Sequence, residues 1–324
     1  MSALTRRADA HATPESELLK FESVVGFARA DFWCFVEMMF DVLHPGKPLQ
    51  YAPYLEYIAS ALGNVESGKY RRLLINLPPR HMKSILTSIL YPAWRLGRDS
   101  AAKFICISYS DDLAHDLSNL TRKAMRSMRY RSIFPALRLE KFAVDYIRTA
   151  QGGYRYAVGV GSYITGFGAD EIIIDDPIQP EDANSETSKR TYQSWLASSV
   201  LTRFNDPNRG KLILVMHRLV PDDPSAIFEP TADHVIKLPL IAEKREIVRR
   251  KGRIIFQRNP GDPLNTKILD LAAIERLRAS IPAHFFASQY QQRPTAGGPG
   301  MLSIDKWRRY DPAMASKFKL FIQS

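Results

Sequence analysis

Apolar residues recur at helical spacing over the first part of the chain and at strand spacing after it. From Glu17 to Phe40 the residues Leu18, Phe21, Val25, Phe32, Phe35, Val36 and Met39 line one helical face. HPGKP (44–48) breaks that helix, and YLEYIASAL (54–62) predicts a second one. From Arg71 the pattern changes to short apolar runs alternating with amphipathic segments. RLLINL is followed by the helix SILTSILYPAWRL, and KFICISYS by the helix DDLAHDLSNLTRKAMRSM. GGYRYAVGVG reads as a strand before a glycine-rich loop. EIIID is a short apolar strand before the helix SETSKRTYQSWLASSV, KLILVMH is another strand, and PSAIF opens another helix.

Near-continuous apolar strands between amphipathic helices predict an α/β fold with a mainly parallel central sheet flanked by helices on both faces. Ligands of such sheets sit beyond the carboxyl ends of the strands. The stretches to read closely are therefore PPRHMKS, SYSDD, DDP and HRLVPDD. Past Leu240 the pattern loosens into the basic run EKREIVRRKGR, the loop QRNPGDPLNT, the helix AAIERLRASI and RPTAGGPG, which has linker composition. The chain divides on this reading into an N-terminal tail and helix (1–48, with 1–16 a loose tail), a core (49–240), a subdomain and linker (241–300), and the start of a truncated further domain (301–324).

Charge adds a partner class. Lys plus Arg outnumber Asp plus Glu by 45 to 34, a formal charge of +11. That excess fits a polyanion such as nucleic acid, although many soluble proteins are basic without one. Cys34 and Cys106 lie in the apolar stretches FWCFV and FICIS, which fits reduced buried thiols rather than disulfides or a zinc site. The polar start has no apolar signal segment. The run FWCFVEMMF is too short for a membrane span and contains Glu37. A soluble protein of the cytoplasm, without a membrane partner, is expected.

The loop LLINLPPRHMKSILTSIL (73–90) carries the first candidate chemistry. A phosphate-binding P-loop reads GxxxxGK[ST]. Here Lys83-Ser84 end the motif, but Leu77 and Met82 stand where the two glycines belong. The glycines ease the wrap sterically. The chemistry comes from backbone N–H groups at a helix N-terminus, a lysine reaching the β- and γ-phosphates, and a hydroxyl on Mg²⁺. Pro79, Arg80, His81, Met82, Lys83 and Ser84 are accordingly the candidate phosphate-binding residues of an ATP site. The alternative is a surface lysine in a helix's first turn, where its charge opposes the helix dipole. Arg80 lies within the loop, placed for the γ-phosphate as an arginine finger in cis, or else faces solvent.

EIIIDDP adds a Walker B pattern, an apolar strand running into acids. Asp175 and Ser84 would hold Mg²⁺, and Asp176 would orient the attacking water. Adjacent carboxylates at a buried strand end need a metal or a basic partner; the alternative is simple turn chemistry in Asp-Asp-Pro. KLILVMHR places His217 at a third strand end, either sensing the γ-phosphate or as a structural histidine.

LLINLPPRHMKS, ITGFGADEIIIDDP, LTRFNDPNRGKLILVMHRLVPDD and FFASQYQQRPTAGGPGM together, in this order, resemble the large terminase subunit of tailed bacteriophages. The resemblance runs from about Leu49 to the C-terminus. It implies a helicase-like ASCE P-loop ATPase core, a linker and a C-terminal RNase H-like nuclease. The implied activity is an ATP-hydrolysing motor that drives double-stranded DNA into a procapsid through its portal protein. A small terminase subunit as partner and a homo-oligomeric ring are implied as well. Arg80, Lys83 and Ser84 match the family's loop, and Asp175 its magnesium aspartate. Asp176 stands where a catalytic glutamate is usual. Its side chain is shorter by one C–C bond, about 1.5 Å, which backbone position or an extra water must offset. FKLFIQS resembles the nuclease's opening strand, and the sequence ends at Ser324 before its first metal-binding acid. ATP hydrolysis without DNA cleavage is therefore expected of this chain.

Two other functions fit the same residues: a strand-separating helicase, which would need a second motor domain after Leu240, and a degenerate P-loop scaffold, which the absent glycines favour. Arg203 and Arg218 are candidates for an arginine finger supplied to a neighbouring subunit, and Gln50 and Tyr51 for contacts to the base. The run KREIVRRKGR is a candidate for contacting DNA phosphates without reading bases, or is a solvated face.

Overall fold

A computed structural model describes residues 14–250 and 252–295. The part of the expected linker beyond Thr295 and the strand expected in FKLFIQS lie outside the described residues.

Three helices come first: α1 (Pro14–Ala30), α2 (Phe32–Leu43) and α3 (Pro53–Glu66). The single helix expected over Glu17–Phe40 is in fact two. Asp31 leaves helical geometry at φ −120°, and its carboxylate accepts hydrogen bonds from the backbone N–H of Trp33 (2.9 Å) and Cys34 (3.1 Å). It thereby caps a new helix start. α2 then buries Phe32, Phe35, Val36, Met39 and Leu43.

The rest builds one sheet. Its strands are β1 (Arg72–Asn76), β2 (Lys103–Ser108), β3 (Leu139–Phe142), β4 (Tyr146–Thr149), β5 (Tyr154–Gly159), β6 (Glu171–Asp175), β7 (Lys211–Met216) and β8 (His234–Lys237). The spatial order is β3-β4-β5-β2-β6-β7-β1-β8. All pairings from β5 to β8 are parallel; β3 and β4 add an antiparallel edge. The sequence reading had no strand at β3 or β4, which are short and partly exposed. β1, which carries the lysine loop, and β6, which carries the acids, are separated by β7 alone. That interposed strand is the layout expected of a helicase-like ASCE P-loop core.

Continuous apolar strands follow from burial on both faces. Ile173, Ile213, Val215, Leu73 and Ile75 join one core cluster, with α2 and α3; Ile172, Ile174, Leu212, Leu214 and Leu74 join the other. The second cluster includes Tyr192 and Trp195 of α7 (Glu186–Trp195). α4 (Tyr91–Arg98) and α5 (Asp111–Arg126) lie on the first side. The segment expected as one helix, SILTSILYPAWRL, opens as a π-helix over Ile85–Leu90 before α4.

Beyond β8 the chain forms an antiparallel hairpin, β9 (Glu246–Arg250) and β10 (Arg253–Arg258), which replaces the unstructured basic run of the sequence reading. A small cluster of Leu240, Ile274 and Phe286 follows.

Candidate active site

The loop after β1 and the ends of β6 and β7 converge at the carboxyl edge of the sheet. Leu77, at the first glycine's position, is fully buried, and its N–H reaches the Met216 carbonyl at 3.4 Å. It extends the core, so no glycine is needed there. The second position differs. Met82 has φ +63° and Arg80 has φ +63°, the left-handed region that glycine normally supplies. The loop therefore takes a glycine-like backbone at Met82 without the glycine.

Lys83 is 7% exposed. Its ammonium donates to Asp176 Oδ1 at 2.8 Å and lies 2.6 Å from Oδ2. It also donates to His217 Nδ1 at 3.0 Å. Since an ammonium can only donate, Nδ1 is the acceptor and the His217 proton sits on Nε2. The His217 backbone N–H donates to Asp176 Oδ1 at 3.3 Å. Asp176 itself adopts φ +43°. Burial opposes its ionisation, but the Lys83 charge and the contact with His217 outweigh that and hold its carboxyl well below the usual range.

Asp175 is 1% exposed. Its Oδ2 accepts a hydrogen bond from Ser88 Oγ at 2.6 Å, and the Ser84 hydroxyl bonds the same carboxylate. Its Oδ1 is buried with no partner. Burial, then the Asp176 charge, push its pKa up. An orphaned carboxylate oxygen beside serine hydroxyls fits a divalent cation. Mg²⁺ typically takes one or two carboxylates and completes its shell with waters and substrate phosphates. Among the described residues no group of three His, Cys, Asp or Glu side chains could hold a metal by itself, which agrees with a site finished by substrate oxygens.

The remaining candidates separate. His81 is buried, with Nδ1 at 2.8 Å from the Pro79 carbonyl, while its own carbonyl accepts from Tyr54 Oη. It braces the loop. Arg80 is exposed and makes no hydrogen bond or ion pair among the described residues. Arg218 is a correction: it is buried, its Nε donates to both Asp223 oxygens at 3.0 and 2.9 Å, and it is not free to reach a neighbour. Arg203 is half-buried and bonds only the Thr202 hydroxyl. Gln50 joins Phe40, His44, Met82, Ile85 and Ile268 around an apolar pocket of about 400 Å³ beside the loop. Tyr51 does not line it, donating instead to Glu56 at 2.7 Å.

Sequence reasoning missed Ser88 and Arg155. Arg155, on β5 and 1% exposed, donates from Nη2 to the Ser88 carbonyl at 3.1 Å. Ser88 lies four residues after Ser84, the spacing that stacks two side chains on one helical face. That spacing was the available signal.

No protein-family model and no curated protein sequence matches the chain. Among solved structures it is similar to a point variant of the large terminase ATPase domain of Thermus phage P74-26. That match has 11% identity and a TM-score of 0.48, covering 72% of this chain and 93% of that one. It is also similar to the HK97 bacteriophage large terminase, at 12% identity and TM-score 0.48, covering 80% and 55%. A third is the large terminase of a thermophilic bacteriophage in complex with ADP, at 11% and 0.41, covering 78% and 52%. The chain thus spans about half the length of the second and third of these proteins. With its lysine loop after β1, its acids after β6 and β7 between them, the chain has the fold of a P-loop NTPase.

Proposed function

We propose that the chain is the ATP-hydrolysing motor portion of a phage large terminase, driving double-stranded DNA into a procapsid. The observation that carries an ATPase reading is the meeting of Lys83, Asp176 and His217 beside the orphaned Asp175 oxygen, at three strand ends. Terminase identity rests in addition on the four sequence stretches that resemble that family. Lys83 and the amides from Pro79 to Ser84 bind the β- and γ-phosphates. Ser84 and Asp175 hold Mg²⁺, which would neutralise phosphate charge. Asp176 orients the attacking water and accepts its proton, and His217 reports the γ-phosphate to β7. Arg80, unpaired and exposed, turns onto the γ-phosphoryl. The adenine base sits in the apolar pocket beside Met82 and Ile85.

In the ligand-free arrangement Asp176 occupies Lys83. Nucleotide binding must exchange that ion pair for a lysine–phosphate contact, which frees Asp176 to face the water. The portal, a small terminase subunit, a ring of copies and the cytoplasm of an infected host complete the reading. Among the described residues no helix is long and apolar enough to cross a membrane.

Lys83→Ala tests the site. Magnesium-dependent ATPase activity of the assembled protein should fall by at least about 10²-fold, as for other losses of preorganised charge at a reacting centre. Unchanged turnover refutes the assignment. The same Lys83–Asp176 pair favours a second reading, a scaffold locked shut that binds no nucleotide. A saturating ATP analogue would then leave the melting temperature unmoved, whereas a native-state ligand raises it.

A further inference from the structure

The hairpin β9–β10 is built differently on its two faces. Val248 and Phe256 face each other across it and pack against the main core, where Phe256 stacks on Tyr57 of α3 with ring centroids 6.0 Å apart. At its root, Arg258 Nε donates to Glu246 at 3.0 Å and Nη1 to the Pro239 carbonyl at 2.9 Å, both groups nearly buried. The outward pairs are Ile247 with Gln257 and Arg249 with Ile254. Ile247 and Ile254 are 39% and 46% exposed.

The charge is one-sided. Residues 244–253 contain Lys244, Arg245, Arg249, Arg250, Lys251 and Arg253 against the single acid Glu246, which Arg258 already neutralises. Lys244, Arg245, Arg249 and Arg253 are exposed, and none has an ion-pair partner among the described residues. Cations left unpaired on a rigid, core-anchored ribbon are held for an external polyanion.

We infer that the β9–β10 hairpin is a finger that grips the phosphate backbone of duplex DNA. A two-stranded ribbon has the cross-section of the DNA major groove, and its two edges then face phosphates on both strands. The hairpin's one aromatic ring, Phe256, is turned into the core. Its outer face therefore has no stacking platform for single-stranded bases. It also lacks the amphipathic helix by which a membrane surface is usually engaged. The root lies near the phosphate loop: the Arg258 charge is close enough to oppose protonation of His81. A grip at this place is next to the site whose nucleotide state would have to move it.

This assignment deepens the DNA-motor reading and is tested apart from ATP turnover. Lys244, Arg245, Arg249 and Arg253 are changed together to Gln, and binding of a blunt duplex is followed by anisotropy over a range of salt. Each phosphate contact contributes about 0.9 to the slope of log K against log salt. The variant should lose about 3 from that slope and bind at least about tenfold more weakly at low salt. An unchanged slope and affinity overturns the assignment. So does a variant that loses binding to phosphatidylserine vesicles or to a single-stranded oligonucleotide while keeping its duplex affinity. The thermal shift produced by an ATP analogue should be the same in both proteins; its loss only in the variant would make the four residues structural and overturn the grip. If the unaltered protein shows no such shift, the ATPase reading fails while the duplex result stands.

Discussion

Strand β6 carries a buried acid at each end, and the two ends are treated in opposite ways. Glu171 accepts hydrogen bonds from Tyr91 Oη at 2.8 Å, Arg95 Nε at 3.1 Å and Lys211 Nζ at 3.2 Å. Its charge is closed off by two cations and a phenol. Four residues on, Asp175 is equally buried but has one oxygen on serine and the other on nothing. Its neighbour Asp176 has taken the only nearby ammonium. Buried carboxylates are normally satisfied, because an unpartnered one loses its hydration without return. The amino end of β6 is thus a structural lock, and the carboxyl end is a site short of a ligand.

The largest expected effect tests the lock. Glu171→Ala strands the Arg95 and Lys211 charges and should destabilise the fold by about 3–5 kcal/mol, read by urea denaturation. Asp175→Asn removes a charge that lacks partners, so it should leave stability unchanged or raised while abolishing magnesium-dependent hydrolysis. If the two changes destabilise equally, the contrast between the strand ends is wrong.

A smaller effect tests the open end. Ser88 holds one Asp175 oxygen and leaves the other free. Ser88→Ala should weaken the magnesium-dependent part of ATP-analogue affinity by about tenfold, the lower range for partners of metal ligands. Ser88→Thr should restore it. Equal weakening in EDTA would make Ser88 a packing residue.

Smaller again is the strain in the loop. A non-glycine residue in the left-handed region costs about 1–2 kcal/mol, partly offset by the unfolded-state entropy of glycine. Arg80→Gly should therefore stabilise the protein by about 0.5–1 kcal/mol while lowering ATP turnover. A loss of stability in chemical denaturation would show that Arg80 makes a contact that favours the fold.

The smallest effect compares a histidine from each end of the sheet. His81 braces the phosphate loop, and His234 opens β8, stacked on Tyr70 with Tyr57 Oη 3.0 Å from its Nε2. Burial first, then neighbouring cations, hold both below the ordinary 6.5. A histidine depressed in the native state favours its neutral form. The unfolded chain then binds more protons below 6.5, and stability falls as the pH drops through that value. Melting temperatures between pH 7 and 5 should decline. Replacing either histidine by Gln should flatten part of the decline, and a profile flat in the unaltered protein would contradict it.

Much of the site was legible because its residues follow apolar runs directly. Lys83 comes one loop after RLLINL, Asp175 and Asp176 close EIIID, and His217 follows KLILVM. The missed features have local causes. The Asp31 cap hid inside an unbroken apolar periodicity. β3 and β4 are four residues each, with exposed positions and no apolar run. The hairpin's inward pair, Val248 and Phe256, was masked by the charges around it. Ser88 lies in a π-helical turn, whose wider register a 3.6-residue periodicity does not anticipate.

By itself the sequence determined the parallel α/β sheet and the edge of it that bears chemistry. Apolar runs buried on both faces can form little else, and polar residues at their ends must lie at the sheet's rim. Tertiary structure alone decided how those residues are used. Ser88 meets Asp175 across 87 residues and Lys83 meets Asp176 across 93. Which oxygen is satisfied, which is left open, and which residue takes the glycine's conformation depend on such distant contacts, because hydrogen-bond partners are assigned by packing and not by neighbourhood in the chain.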